Sequence, residues 1–299
     1  MRLGVLILPD TSWGQNVDRW RHAEKLGFDS AWTYDHVWWR GLRDSAWYSA
    51  MPVLAAAAAV TSQVRIGIMV ASPNFRHPVL TAKEAIAIDD ICGGRFVLGV
   101  GSGAPHAGDA EVLGGEPFSA ADRAARFQEF VELTDRLLSA PTTTYGGRFY
   151  GASDARMIPG SVQRPRLPLA VAASGPRGLE LAARYGDAWI TPGPANWLGG
   201  YTPDECHATV AGQIKELEQA CDRAGRDFAA MERIMIATPM CGDPLESAES
   251  CLRIAERYAE IGMTHLIIHW PRDSGVYAGD PRVLEEIAVD VLPQVHRLW

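Results

Sequence analysis

Eight short apolar runs alternate with segments of helical period, and no other feature of the chain restricts its fold as strongly. The runs are Leu3–Leu8, Ser30–Tyr34, Val64–Ala71, Phe96–Gly101, Leu169–Ala173, Ala188–Thr191, Ile234–Thr238 and Thr264–His269. They are close to continuously hydrophobic, as parallel strands buried on both faces are. The segments between them carry apolar residues at helical spacing: Val17, Trp20, Ala23 and Leu26 form one stripe, and Phe127, Phe130, Leu133, Leu137 and Leu138 another. Eight such units in 299 residues predict an α/β chain folded as a (β/α)8 barrel, not a doubly wound sheet. No low-complexity linker divides the chain, so one domain spanning 1–299 is expected. The connection Pro141–Pro168, dense in proline and glycine, reads as an insertion on the barrel rim.

Charge and composition exclude several classes. With 28 Lys+Arg against 36 Asp+Glu, the net charge is -8. Nucleic-acid binding, which calls for a basic stripe, is not expected. Ser45–Val64 is uncharged for 20 residues, long enough to span a bilayer. Its alanines and serines, with Pro52 and Gln63, read as a packed helix, and no membrane partner is expected. Leu3–Leu8 stops at Pro9-Asp10, too short for a signal sequence. The five cysteines are odd in number and lack a C-x-x-C pair, which suits reduced thiols in a cytoplasmic protein.

In a barrel the chemistry gathers where strands end. Asp35-His36 ends the second run. His36 is a candidate proton donor or acceptor, since imidazole titrates near neutrality. A satisfied structural histidine reads equally well from spacing alone. Ser174-Gly175-Pro176-Arg177-Gly178 joins a strand to a helix. Small residues and a helix N-terminus there favour an anion such as phosphate, and Arg177 adds a full charge. Gly99-Val100-Gly101-Ser102-Gly103 has the spacing G-x-G-x-G, not the dinucleotide G-x-G-x-x-G, so close approach to a bound ring is the better reading. Trp13, Trp38, Trp39 and Trp270 follow strands and are candidates for pocket walls, whereas Trp20 and Trp32 read as core.

Other chemistries find no support. His265 and His269 lie four apart in a strand, about 13 Å from one to the other, too far to share a metal. There is no H-E-x-x-H and no G-x-S-x-G, so no metal site and no serine nucleophile are expected.

Taken in order along nearly the whole chain, these segments resemble the luciferase-like flavin-dependent oxidoreductases, on the coenzyme F420 side of that family. The resemblance rests on Ala23-Glu24-Lys25-Leu26-Gly27-Phe28-Asp29-Ser30, Tyr34-Asp35-His36, Ser72-Pro73, Arg76-His77-Pro78 and Gly186-Asp187-Ala188-Trp189. Its most specific block is Gly93–Gly103. It implies a bacterial-luciferase-like TIM barrel with F420 at its C-terminal mouth and hydride transfer to or from a small organic substrate. It implies a non-proline cis peptide at Met69–Val70 behind the ring, with Asp35, Ser72, Gly101 and Ser102 around the ring system. Ser174, Gly175, Pro176, Arg177 and Thr191 would hold the phosphate region, and His36 matches the histidine proposed to act near the ring. Trp13, Trp39 and Trp270 would wall the substrate pocket, and Arg272 would bind an anion.

Two alternatives stay open at this point: an FMN-dependent monooxygenase using O2 and a separate reductase, or a flavin-binding protein without chemistry. Homodimers are common in the family. One departure is specific. Sugar-phosphate dehydrogenases of the family carry a catalytic Glu directly after the fourth-strand glycines, and here that place is Ala104.

Overall fold

The computed structural model describes residues 1–103, 109–114, 118–196 and 199–298, apart from the Arg40 side chain. Ala104 therefore lies outside the described residues. The chain runs β1 (Arg2–Leu6), α1 (Trp13–Leu26), β2 (Ser30–Thr33), α2 (Ala50–Val60), β3 (Arg65–Ala71), α3 (Pro78–Ile91) and β4 (Phe96–Gly101). It continues through α4 (Asp109–Val112), α5 (Ala120–Ser139), β5 (Thr142–Gly146), β6 (Gly151–Arg156), β7 (Leu169–Ala172), α6 (Pro176–Tyr185) and β8 (Ala188–Thr191). The last elements are α7 (Pro203–Ala224), β9 (Glu232–Ile236), α8 (Ala248–Glu260), β10 (His265–His269), α9 (Arg282–Glu286) and α10 (Leu292–Val295).

Eight of these strands close a barrel in the order β1-β10-β9-β8-β7-β4-β3-β2, with every pairing parallel. The eight apolar runs are those strands, shifted by one or two residues at their ends. Ser45–Val64 holds the packed helix α2, and none of the described helices is long and apolar enough to cross a membrane.

Successive side chains on a strand face opposite ways, and the alternation divides the core in two. Leu6, Trp32, Met69, Val97, Ile190, Ile234 and Ile267 fill the barrel interior, while Leu3, Val5, Ile66, Leu98, Leu266 and Ile268 pack outward against the helices. Trp32 is the largest interior side chain, and glycine makes room for it. A Cβ at Gly67 would lie 2.1 Å from its ring. Gly99 answers a backbone constraint instead. A Cβ there would meet the Ile68 carbonyl at 2.1 Å, beside the register shift where β3 bulges.

The connection Pro141–Pro168, read from the sequence as an insertion on the barrel rim, lies between α5 and β7. It links a helix to a strand, so it starts and ends at the face of the barrel opposite the mouth. It contains the antiparallel hairpin β5–β6, which folds back along α5. The hairpin turn is fixed by Glu129 of α5, whose carboxylate accepts backbone N–H bonds from Arg148, Phe149 and Tyr150. Only this turn approaches the mouth, through Phe149 against Phe118 and Tyr150 against His77.

Candidate active site

The C-terminal ends of the strands surround a cavity of about 470 Å³. Its floor is the β3 bulge, where the Met69–Val70 peptide is cis. Gly101, Ser102 and Gly103 border it from β4, and the glycines admit this close packing: a Cβ on Gly101 would fall 2.5 Å from the Val70 side chain. A second cavity of about 610 Å³ adjoins the first and shares Ser102, Ala172, Ala173, Ser174 and Gly175 with it. Pro176 and Arg177 at the start of α6, and Arg123 of α5, line this second space. The two together offer a flat, largely apolar recess that opens into a groove with cations and a helix N-terminus.

His36 lines the central cavity at the end of β2. Its Nδ1 lies 2.8 Å from Oδ2 of Asp109, whose Oδ1 accepts the Val37 backbone N–H at 2.8 Å. Asp109 is almost fully buried and also borders the cavity. An imidazole held in this way presents Nε2 as its reactive nitrogen. The adjacent Asp35 cannot share that task, since its carboxylate is bound by both arms of the Arg76 guanidinium. Burial pushes the Asp35 carboxyl up from its ordinary value, and the Arg76 pair pulls it back. Arg76 also bonds Glu84 at 3.0 Å.

That pair gives a stability prediction. Arg76→Met leaves a carboxylate that is 2% exposed without its partner, and breaking a buried pair from one side costs about 3–5 kcal/mol. Urea unfolding at pH 7 should register a loss of this size. Substituting Asp35→Leu in the same chain should restore most of it, because the double change removes both charges.

The wall beside His36 is aromatic. The Trp39 ring stacks near parallel to Tyr34, Trp47 and Tyr277, with centroids 6.0 to 6.3 Å away. Tyr277 in turn stacks on His269 at 3.5 Å. Nε2 of His269 pairs with the Tyr34 hydroxyl at 2.8 Å. Burial lowers the His269 pKa to about 3 and pushes the Tyr34 hydroxyl up, so this pair stays neutral at physiological pH.

Not every residue singled out in the sequence reaches the site. Asp35, His36, Trp39, Met69, Val70, Ser72, Gly101, Ser102, Ser174 and Gly175 line the central cavity, and Pro176 and Arg177 the groove. Thr191 is a correction. Ile190 takes the inward position on β8, so Thr191 points outward, where its hydroxyl donates to Gln213 of α7 at 2.7 Å. Trp270 turns out of the barrel to meet the His22 ring edge-on, and Trp13 packs among the outer core residues. Arg272 is tied to Asp10 at 2.7 Å and to the carbonyls of Ser274 and Val276, so it braces its own loop. Conversely, Asp109 and Tyr277 line the cavity, although no local motif marks them, and so does Tyr34 of the Tyr34-Asp35-His36 segment.

Residues 1–286 match the model of the family described as luciferase-like monooxygenase. The chain is 32% identical to an F420-dependent glucose-6-phosphate dehydrogenase of Beutenbergia cavernae, over 91% of this chain and 90% of that one. It is 31% identical to a 5,10-methylenetetrahydromethanopterin reductase of Archaeoglobus fulgidus, over 88% of this chain and 71% of the relative. Among solved structures, an F420-dependent secondary alcohol dehydrogenase in complex with an F420-acetone adduct superposes with a TM-score of 0.81. It is 22% identical, and the match covers 98% of each chain.

Proposed function

The chain belongs to the luciferase-like monooxygenase family, and on that premise we propose that it is a coenzyme F420-dependent oxidoreductase acting on a small organic molecule. The observation that carries this reading is the joined pair of cavities. The recess between the cis Met69–Val70 peptide and the aromatic wall suits a planar tricycle, and the groove beside Arg123 and Arg177 suits an anionic tail. The relative named as an F420-dependent enzyme supports the same choice. When bound, the deazaflavin gives or takes a hydride at C5, whereas reduced FMN also activates O2.

The protein's own part is positioning and proton handling. The β3 bulge and Gly101 set how deep the ring sits. Ser174, Gly175 and the start of α6 direct backbone groups and a positive end dipole toward the tail. Asp109 holds Nδ1 of His36, so Nε2 can accept a proton from the substrate or return one. The Arg76–Asp35 pair fixes the strand end that carries His36. Trp39, with Tyr34 and Tyr277, supplies the apolar face on which the substrate rests and from which water is displaced.

Titrating the purified protein with F420, and in parallel with FMN, while following tryptophan fluorescence tests the assignment. Trp39 and Trp47 beside the cavity make quenching the expected response to F420, with FMN binding at least tenfold more weakly. Preferential quenching by FMN would replace this reading with an oxygen-dependent one. Silence with both would remove the cofactor assignment.

A further inference from the structure

The charged groups that line the cavity facing His36 bear on substrate choice. Among the described residues that line it there is no lysine or arginine. Asp35 and Asp109 are the charged groups apart from His36, and both are carboxylates. Among the described residues near the strand ends, the Arg76 guanidinium is already bound to Asp35 and Glu84, Arg126 is bound to Asn74, and Arg272 is held by Asp10 and two carbonyls. Arg123 and Arg177 belong to the adjoining groove, beyond Ser102 and Ser174. A further cavity of about 290 Å³ continues from Thr238 and Tyr277, and its charged lining residue apart from His269 is Asp243. A phosphate dianion placed in the central cavity would lose its hydration without gaining a cation, and would face carboxylates. Such burial is strongly unfavourable.

What the walls offer instead is apolar and aromatic surface. Trp39 lies 8% exposed in its near-parallel stack, with Ile190, Pro192 and Ile236 across the space. Planar or alicyclic frames pack well against such a wall. Apart from His36, Asp35 and Asp109, the polar side chains of the lining are the uncharged hydroxyls of Ser72, Ser102, Ser174, Thr238, Tyr34 and Tyr277, of which Ser102 and Ser174 border the adjoining groove and Tyr34 is paired with His269. One proton-handling imidazole beside an aromatic wall matches a substrate with a single reacting oxygen.

Resting on the F420 reading above, we propose that the substrate is a small uncharged alcohol, or its carbonyl partner, on an apolar or aromatic frame, and not a phosphorylated sugar. In the oxidative direction the alcohol's C–H bond breaks and leaves with its electron pair to oxidised F420. The O–H bond breaks as Nε2 of His36 takes the proton, and the C=O double bond forms. The alcohol loses two electrons and the cofactor gains two; the reductive direction reverses each transfer.

The test uses 1-phenylethanol, acetophenone, cyclohexanol and cyclohexanone against glucose 6-phosphate and glucose. Binding is measured by calorimetry on the protein with and without F420, and turnover by absorbance of F420 on the loaded protein. Expected are measurable binding of the uncharged ring compounds and kcat/KM at least about 100-fold above that for glucose 6-phosphate, since one desolvated unpaired charge suffices for such discrimination. Their affinity should stay constant as salt rises, because no ion pair is screened. Trp39→Ala should raise KM for the ring compounds about tenfold through lost packing. The proposal is overturned if glucose 6-phosphate binds more tightly than the ring compounds, or if none of them binds. Retention of F420 on gel filtration is read separately. Protein that holds no F420 speaks against the cofactor, while calorimetry without F420 still judges the substrate class.

Discussion

Replacing His36 by alanine is expected to lower kcat by about 10²–10⁴-fold, the range that a positioned general acid or base contributes. F420 affinity should change little, because the recess and the tail groove owe their shape to the β3 bulge, to Gly101 and to the start of α6. The pH profile separates a proton-transfer role from a packing role. A chain that relays protons through His36 should show a pH dependence of kcat that the variant loses. Asp109→Asn is the companion measurement. The amide still accepts the Val37 N–H, but its NH2 donates to Nδ1 and shifts the imidazole proton to Nε2. The expected result is a smaller fall in kcat than in His36→Ala. An unchanged kcat across the pH range in His36→Ala would take this residue out of the reaction.

The second large effect concerns stability in mild acid. His265 and His269 both point into the barrel from β10, and burial lowers their pKa values to about 4 and about 3. Unfolded histidine titrates near 6.5. Between those values the unfolded chain binds protons that the folded chain refuses, so stability falls as pH falls. Each group contributes a slope approaching about 1.4 kcal/mol per pH unit, and together they should remove about 3 kcal/mol between pH 6.5 and 5. The contribution is complete above pH 6.5 and is lost progressively down to the folded values. Urea midpoints across this interval measure it directly. His269→Gln, which retains an acceptor for the Tyr34 hydroxyl, should flatten roughly half of the dependence. A midpoint constant over this interval would mean that the two rings do not stay neutral inside the barrel.

The barrel was legible in the sequence because strands buried on both faces must be largely apolar, and each of the eight was. The hairpin β5–β6 was not. Thr142–Gly146 and Gly151–Arg156 lie mostly exposed on the flank of α5, so selection for burial left no run to recognise. Residue type also points to candidates without fixing their direction. Thr191 and Trp270 stand at strand ends as expected, yet strand alternation and chain path turn both away from the cavity. Gly186 does end α6, but with φ -79 it does so without the left-handed turn that usually makes glycine a stop. It is small because the Ala182 and Ala188 carbonyls come within 2.9 Å of where a Cβ would stand. The contact between Asp109 and His36 spans 73 positions. Nothing local predicts such a pairing; it exists only once β2 and β4 are placed around the barrel.

That long contact has a bearing on how such a protein can be redesigned. Barrel loops are commonly treated as exchangeable parts, each swapped to alter selectivity while the reactive group stays in place. Here the segment after β4 carries the carboxylate that orients the imidazole after β2. A graft that replaces this segment to admit a new substrate also removes the brace of the proton relay. Selectivity and rate would then change together, and a transplant that keeps an acid at position 109 is the one that can separate them.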